Sequence, residues 1–121
     1  MSTATPPFDA ESPPSRPVDL PNGDALDEFV AAYDRVLVQF YTDGCGICAS
    51  MEPVLDAVAH TTDAVVATIN PRDDPPLVKR FQIGSVPTEI VFVDGEPVDR
   101  LAQGFVPADE LTDFVEAAEG L

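Results

Sequence analysis

Two cysteines separated by two residues are the side chains in this sequence best suited to carry out a reaction. They belong to the segment Asp43-Gly-Cys-Gly-Ile-Cys48, which follows an apolar stretch, residues 35–41, and opens a helical pattern. A thiol at the start of a helix faces unpaired N–H groups and the positive end of the helix dipole, so we expect Cys45 to ionise readily. Its thiolate would attack a disulfide, and Cys48 would then resolve the mixed disulfide.

The same Cys-x-x-Cys spacing also forms one half of many zinc sites. This sequence has two cysteines and one histidine, His60, so a single chain cannot supply four soft ligands, and we predict no metal site. A pair of cysteines packed in the core, without chemistry, is the other interpretation of the motif. We also expect no bound cofactor, because the cysteine pair itself accepts and gives up electrons.

Length and charge narrow the class of protein. The chain has 121 residues, enough for about one domain, and 22 acidic against 6 basic residues give a formal net charge of −16. That charge repels phosphate groups, so we expect neither nucleic acid nor an anionic membrane as a partner. No apolar run approaches the ~18 residues of a membrane span, and the N-terminus shows no secretion signal. An acidic surface of this kind suits the high-salt cytoplasm of a halophile, where salt screens the repulsion between charges. The alternative is an ordinary acidic mesophilic protein. We also expect the protein to be a monomer.

Proline is concentrated in the first 21 residues, which hold six of the thirteen. This predicts a disordered segment over residues 1–17 and one domain over residues 18–121. Within the domain, apolar spacing predicts strands at 35–41 and 64–69 and helices at 25–33, 48–60 with a kink at Pro53, 77–81, and from Pro107 onward. Asp94-Gly95 predicts a hairpin between strands 88–93 and 98–101, and Pro97 places the second of them on a sheet edge. Parallel strands joined by crossover helices, together with this hairpin, predict an α/β sheet covered on both faces.

Four features between residues 22 and 118 resemble the thioredoxin family. They are the strand and motif at residues 36–48, Pro53 five residues after the second cysteine, the segment Phe81-Gln-Ile-Gly-Ser-Val-Pro-Thr88, and Asp94-Gly95 followed by Gly104. The resemblance implies the thioredoxin fold, a central mixed sheet of four to five strands with helices on both faces. It also implies a cis peptide bond between Val86 and Pro87.

The resemblance further implies how a substrate binds. An extended segment of a disulfide-containing protein would pair with the Val86 backbone as an added β-strand, beside Pro87 and the motif residues Gly44, Gly46 and Ile47. Affinity would then come from main-chain hydrogen bonds and would tolerate many sequences. A separate disulfide reductase, or another dithiol donor, would return electrons to the cysteine pair.

Three positions depart from the family pattern. The tryptophan that usually precedes the first cysteine is Gly44 here, and the usual Gly-Pro between the cysteines is Gly46-Ile47, so the family's reduction potential does not carry over. The buried aspartate that moves protons for the second cysteine corresponds to Gln39, which cannot titrate. The lysine often paired with that aspartate falls at Thr68.

Two glutamates are candidates for the missing acid. Glu89 interrupts the apolar run Val86–Val93, on a strand expected next to the one that carries Gln39. A carboxyl group buried there would have a raised pKa and could exchange a proton with Cys48 near neutral pH. Glu52, one helical turn after Cys48, is the second candidate. The alternative is that Glu89 reaches solvent or bonds Gln39 in a structural role.

Together these features predict a dithiol–disulfide oxidoreductase that reduces protein disulfides, with Cys45 as nucleophile and Cys48 as resolving thiol. Two alternatives stay open. One is a more oxidising oxidase or isomerase of the same fold, and the other is a non-catalytic adaptor that binds partners through a thioredoxin-like surface.

Overall fold

The apolar segment that precedes the cysteines forms the central strand of a five-stranded mixed sheet. In the computed structural model, which describes residues 8–120, this strand is β2 (Arg35–Phe40). It lies parallel to β3 (Val65–Ile69) on one side and antiparallel to β4 (Thr88–Val93) on the other. β1 (Val18–Leu20) extends the sheet beyond β3, and β5 (Glu96–Leu101) extends it beyond β4. The predicted mixed sheet is confirmed, whereas β1 is an element that the sequence patterns did not predict.

Five helices pack on the two faces of this sheet, as predicted. They are α1 (Gly23–Ala32), α2 (Gly46–Ser50), α3 (Glu52–Thr61), α4 (Pro76–Arg80) and α5 (Ala108–Ala117). Asn22 begins α1 because its side-chain oxygen accepts the Ala25 N–H at 2.9 Å, which satisfies one of the free N–H groups of the first turn. The single kinked helix predicted over residues 48–60 is divided into α2 and α3 at Met51.

The apolar side chains form one cluster on each face of the sheet. The first lies under α1 and α4 and includes Phe29, Phe40 and Phe81 among its fifteen buried residues. The second lies under α3 and α5 and includes Leu37 of β2 and Leu55 of α3. Since β2 contributes alternate side chains to both clusters, every residue from Val36 to Phe40 is buried and the strand is held rigidly.

The hairpin of β4 and β5 turns at the predicted dipeptide. Asp94 and Gly95 both have left-handed backbone conformations, with φ of 52° and 85°, as a tight hairpin turn requires. β5 is an edge strand, as Pro97 predicted, and its register shifts opposite Val91 and Phe92.

Residues 8–17 carry turns and bends but no helix or strand. Phe8 nevertheless packs edge-on against Phe29, with ring centroids 4.9 Å apart, and the Tyr33 hydroxyl donates to the Asp9 carbonyl at 3.1 Å. Residues 1–7, part of the segment predicted to be disordered, lie outside the described residues, and the proposed division at residue 18 stays a prediction.

Candidate functional site

The cysteine motif occupies the turn that joins the central strand to α2. Gly44 adopts a left-handed conformation, with φ of 79°, and a side chain there would meet no other atom within 4 Å. The glycine is therefore required by the backbone conformation and not by lack of space. Cys45 follows as the residue that caps α2, so the motif lies at a helix N-terminus, as predicted.

The two sulfurs differ in their access to solvent. In this structure Cys45 and Cys48 form a disulfide, with their Cα atoms 5.3 Å apart. Cys45 is partly exposed, whereas only 4% of Cys48 is accessible. The Cys45 sulfur accepts the backbone N–H of Cys48 at 3.2 Å, a contact that favours negative charge on Cys45 once the bond is reduced. Cys45 is therefore the more accessible of the two sulfurs.

Pro53 determines where the helix that carries the cysteines is interrupted. Proline has no N–H to donate to the carbonyl of Ala49, four residues earlier, and the helix breaks at Met51. The backbone nevertheless continues through Met51, since the Leu55 N–H donates to the Met51 carbonyl at 2.8 Å. The buried Met51 sulfur in turn accepts the N–H of Val106 at 3.4 Å, which fastens the loop before α5 to this helix.

The Val86–Pro87 segment lies at the same end of the sheet as the motif. Phe40, the last residue of β2, pairs with Thr88, the first of β4, so the chain enters β4 where it leaves β2. The Val86–Pro87 peptide bond is cis, as the resemblance implied. Val86 is partly exposed and Pro87 is buried.

Two large apolar side chains are exposed in helix α2 and in the loop before α5. Ile47, inside the motif, is 48% exposed, and Phe105, in the loop before α5, is 49% exposed. Gly46 is also exposed and, like Gly44, has open space around it. Exposed apolar side chains beside a reactive sulfur provide contact area for a partner.

A cleft of about 350 Å³ opens beside the cysteine pair, on the α3 side of the sheet. Its walls include both cysteines, Gln39 of β2, Thr68 of β3, Asp19 of β1 and Glu52 of α3. Asp19 accepts hydrogen bonds of 2.8 Å from the hydroxyls of Tyr41 and Thr68. Asp19 was not predicted as a site residue, because nothing in the local sequence pattern predicts the short strand β1 that brings it here.

The rim of this cleft is strongly acidic. Burial, the hydrogen bond to Asp19, and the charges of Asp19, Asp43 and Asp73 raise the pKa of the Tyr41 hydroxyl to about 12. Burial is the largest cause of this shift, and the three carboxylates add to it because their negative charge disfavours ionisation of the hydroxyl.

Glu89 and Gln39 lie opposite each other on β4 and β2, beneath the same helices. Glu89 is fully buried and Gln39 is 2% exposed, so the prediction that these side chains could meet under the motif agrees with the strand register. Burial raises the pKa of Glu89 to about 7. The peptide N–H of Glu89 itself lowers the pKa by a smaller amount, although neither carboxyl oxygen has a hydrogen-bond partner. Glu52 is exposed to solvent on the wall of the cleft.

Within residues 8–120, no group of three or more His, Cys, Asp or Glu side chains is arranged to hold a metal ion. In the same part of the chain, no helix has both the length and the apolar character needed to cross a membrane.

Comparison with known proteins places the chain among thioredoxins. The sequence model of the thioredoxin family matches residues 18–117. The chain is 38% identical to the thioredoxin of Staphylococcus saprophyticus over 82 residues, which are 66% of this chain and 78% of the relative. It is 32% identical to the thioredoxin of Mycobacterium tuberculosis over 93 residues, 75% of this chain and 80% of the relative.

A solved structure of similar architecture comes from a halophile. A mutant thioredoxin from Halobacterium salinarum superposes with a TM-score of 0.83 at 34% identity, over 91% of this chain and 96% of the other. The sequence and the fold thus both match thioredoxins, and the chain carries a cysteine motif that can exchange disulfides. This chain therefore belongs to the thioredoxin family and is a thiol–disulfide oxidoreductase.

Proposed function

We propose that Cys45 is the attacking sulfur and Cys48 the resolving one in the reduction of protein disulfides. The observation that carries the assignment is the difference in burial, with Cys45 partly exposed and Cys48 4% accessible. A substrate sulfur cannot reach Cys48 before it has reacted with Cys45. The N–H of Cys48, aimed at the Cys45 sulfur, supports the same order, because it stabilises the thiolate that must attack.

The reaction then proceeds in two exchanges. The Cys45 thiolate attacks one sulfur of the substrate disulfide, which forms a mixed disulfide and releases the other substrate sulfur as a thiolate. Cys48 loses its proton and attacks the Cys45 sulfur, which releases the second substrate thiolate. The substrate disulfide is reduced by two electrons, and the Cys45–Cys48 bond forms in its place. A disulfide reductase, or another dithiol donor, then returns two electrons and two protons.

We propose that the substrate segment binds in extended form at Val86 and Pro87. Val86 precedes Thr88, the first paired residue of β4, and is partly exposed at the end of the sheet that carries the motif. The open surroundings of Gly44 and Gly46 leave room for a main chain, and Ile47 offers apolar contact. Binding of this kind relies on backbone hydrogen bonds, so it accepts many partners.

We further propose that the protein works as a monomer in a high-salt cytoplasm. A formal net charge of −16 on 121 residues favours a medium that screens repulsion, and near molar salt the screening length falls to about 3 Å. The similarity to a Halobacterium thioredoxin supports the same environment.

Trapping experiments test the assignment of the two cysteines. Reduced Cys48→Ser protein, incubated with a disulfide-containing protein in molar salt, should accumulate a mixed disulfide that is visible on a non-reducing gel. The matched variant Cys45→Ser should form none at the same thiol content, and neither variant should turn over insulin disulfides. Equal trapping by both variants would overturn the order of attack. Wild-type insulin reduction no faster than that of Cys45→Ser, with both at the background rate, would support an adaptor without catalysis.

Equilibration with glutathione tests the direction of the reaction. We expect a reduction potential for the Cys45–Cys48 pair more negative than about −200 mV, in the range of reductases. A potential well above that value would instead identify an oxidase or isomerase.

A further inference from the structure

Three buried oxygen atoms beneath the cysteine motif lack a hydrogen-bond donor among the described residues. They are both carboxyl oxygens of Glu89 and the side-chain oxygen of Gln39. The two residues are directly opposite in the β2–β4 register, on the face that α3 and α5 cover. Buried oxygens of this kind are rarely left without a partner, because each loses its contact with water. A proton on the Glu89 carboxyl accounts for two of the three, since one carboxyl oxygen becomes an O–H donor and the Gln39 oxygen can accept from it.

The resolving cysteine needs a group that can accept its proton. Cys48 must give up a proton before its sulfur can attack, and it must regain one when the disulfide is reduced again. It is 4% exposed, and it lines the cleft together with Gln39. Gln39 therefore shares the cleft with the group that must lose a proton, and it lies opposite a carboxyl group able to take one up.

We propose that Glu89 takes up the proton that Cys48 releases in the resolving step. The Gln39 amide couples the two groups by rotating, so that its oxygen and its NH₂ group exchange places. This proposal rests on the disulfide exchange described above. The balance is one proton lost by the Cys48 thiol and one gained by the Glu89 carboxylate. Reduction of the Cys45–Cys48 bond reverses the transfer.

The amide of Gln39 can serve both states because it carries a donor and an acceptor. When Glu89 is ionised, the NH₂ group of Gln39 points at the carboxylate, and the amide oxygen faces the cleft, where it accepts from a thiol. When Glu89 holds the proton, its O–H donates to the amide oxygen, and the NH₂ group faces the cleft, where it stabilises a thiolate. Because burial raises the pKa of Glu89 to about 7, both states are accessible near neutral pH.

The other charged side chains on the elements around this face are exposed or partly exposed, whereas Glu89 is buried. Glu52 of α3 and Asp19 of β1 are exposed on the cleft wall, and β5 places Leu101 opposite Glu89. The remaining charged side chains on β5, on α5 and at the far end of β2 are exposed or partly exposed: Glu96, Asp99, Arg100, Asp109, Glu110, Asp113, Glu116 and Arg35. The other titratable groups that line the cleft are the partly exposed Tyr41, the exposed Asp43 and the two cysteines of the motif.

Stopped-flow reaction with dipyridyl disulfide separates the two exchanges. Each exchange releases one thiopyridone, and the reagent is neutral, so the charge of the protein does not distort its approach. At saturating reagent the first phase reports attack by Cys45 and the second reports resolution by Cys48. We expect the wild-type second phase to rise with pH through a step near 7.

The variants Glu89→Gln and Gln39→Met should both lose this step and, slightly above neutral pH, resolve ~10-fold more slowly. Their first phase should equal that of the wild type. Glu52→Gln, which removes an exposed carboxyl group from the same cleft, is the matched control and should keep the step. An unchanged second phase in Glu89→Gln overturns the proposal, as does a step lost only in Glu52→Gln. A missing first phase in the wild type would instead refute the disulfide exchange itself.

A measurement on the unaltered protein covers the case in which Glu89→Gln does not fold. Carboxyl ¹³C resonances can be titrated in oxidised and in reduced wild-type protein. Coupling to Cys48 predicts that the Glu89 midpoint is higher in the reduced form, because the thiolate disfavours a second negative charge. Identical midpoints in the two forms would overturn the proposal.

Discussion

The buried carboxyl group of Glu89 makes the stability of the folded protein depend on pH in a defined direction. Its pKa rises from the ordinary 4.5 to about 7 on folding because the side chain loses its water. Well below pH 4.5 the folded and the unfolded chain both hold the proton, so the group costs nothing. Between the two values the unfolded chain has released its proton while the folded chain retains it, so the free energy of unfolding falls as pH rises. Above about 7 the penalty is complete and constant.

The size of this penalty follows from the change in pKa. Each tenfold change in an ionisation constant is worth about 1.4 kcal/mol. The shift from 4.5 to about 7 therefore corresponds to roughly 3 kcal/mol. Glu89→Gln has no proton to lose at this position. Its free energy of unfolding, relative to wild type, should rise by about 3 kcal/mol between about pH 4 and about pH 9.

Urea unfolding at constant molar salt measures this difference. Far-UV circular dichroism is the suitable probe, since the chain contains no tryptophan. Both proteins are kept oxidised, so that the cysteines do not titrate. Comparing the two proteins at each pH removes the contribution of the other acidic residues and any fixed cost of the new amide. Glu52→Gln, which alters an exposed side chain, should show no such slope. Parallel stability curves for wild type and Glu89→Gln would refute the reasoning, because they would mean that Glu89 keeps its water in the folded state.

Two further predictions concern the motif and its rim. Gly44→Ala should lower the free energy of unfolding by about 1 kcal/mol, because an L-residue is strained at φ of 79°. Gly46→Ala, also in open space but with no left-handed φ, should be neutral or slightly stabilising in the same unfolding assay, and equal effects would contradict the conformational argument. The carboxylates of Asp19, Asp43 and Asp73, whose charges act on Tyr41 in the cleft wall, should make reduced protein react faster with cationic cystamine than with anionic oxidised glutathione. The ratio of the cystamine rate to the glutathione rate, measured by stopped flow, should fall ~10-fold between the lowest salt concentration that keeps the protein folded and molar salt. A ratio that does not depend on salt would exclude the electrostatic explanation.

Local sequence determined the elements and the reactive pair. Cys45 and Cys48 follow an apolar strand and open a helical pattern, so the motif's place at a helix N-terminus was predictable. The cap at Asn22 and the hairpin at Asp94-Gly95 were predictable as well. Each of these features depends on backbone conformation and hydrogen bonds within a few residues, which the local sequence largely specifies. Pro53 showed that the active-site helix is disturbed, although it did not show that the helix divides into two at Met51.

The tertiary structure decided what surrounds the sulfurs. Strand β1 has only three residues and forms by pairing with β3, so the position of Asp19 on the cleft wall could not be read from its neighbours in sequence. The placement of Glu89 directly opposite Gln39, with both side chains buried, depends on the register of two strands about fifty residues apart. A shift of one residue in that register would turn the carboxyl group to the other face of the sheet. Burial is a property of the whole fold, and it is burial that raises the pKa of Glu89 and leaves Cys45, of the two cysteines, as the accessible one.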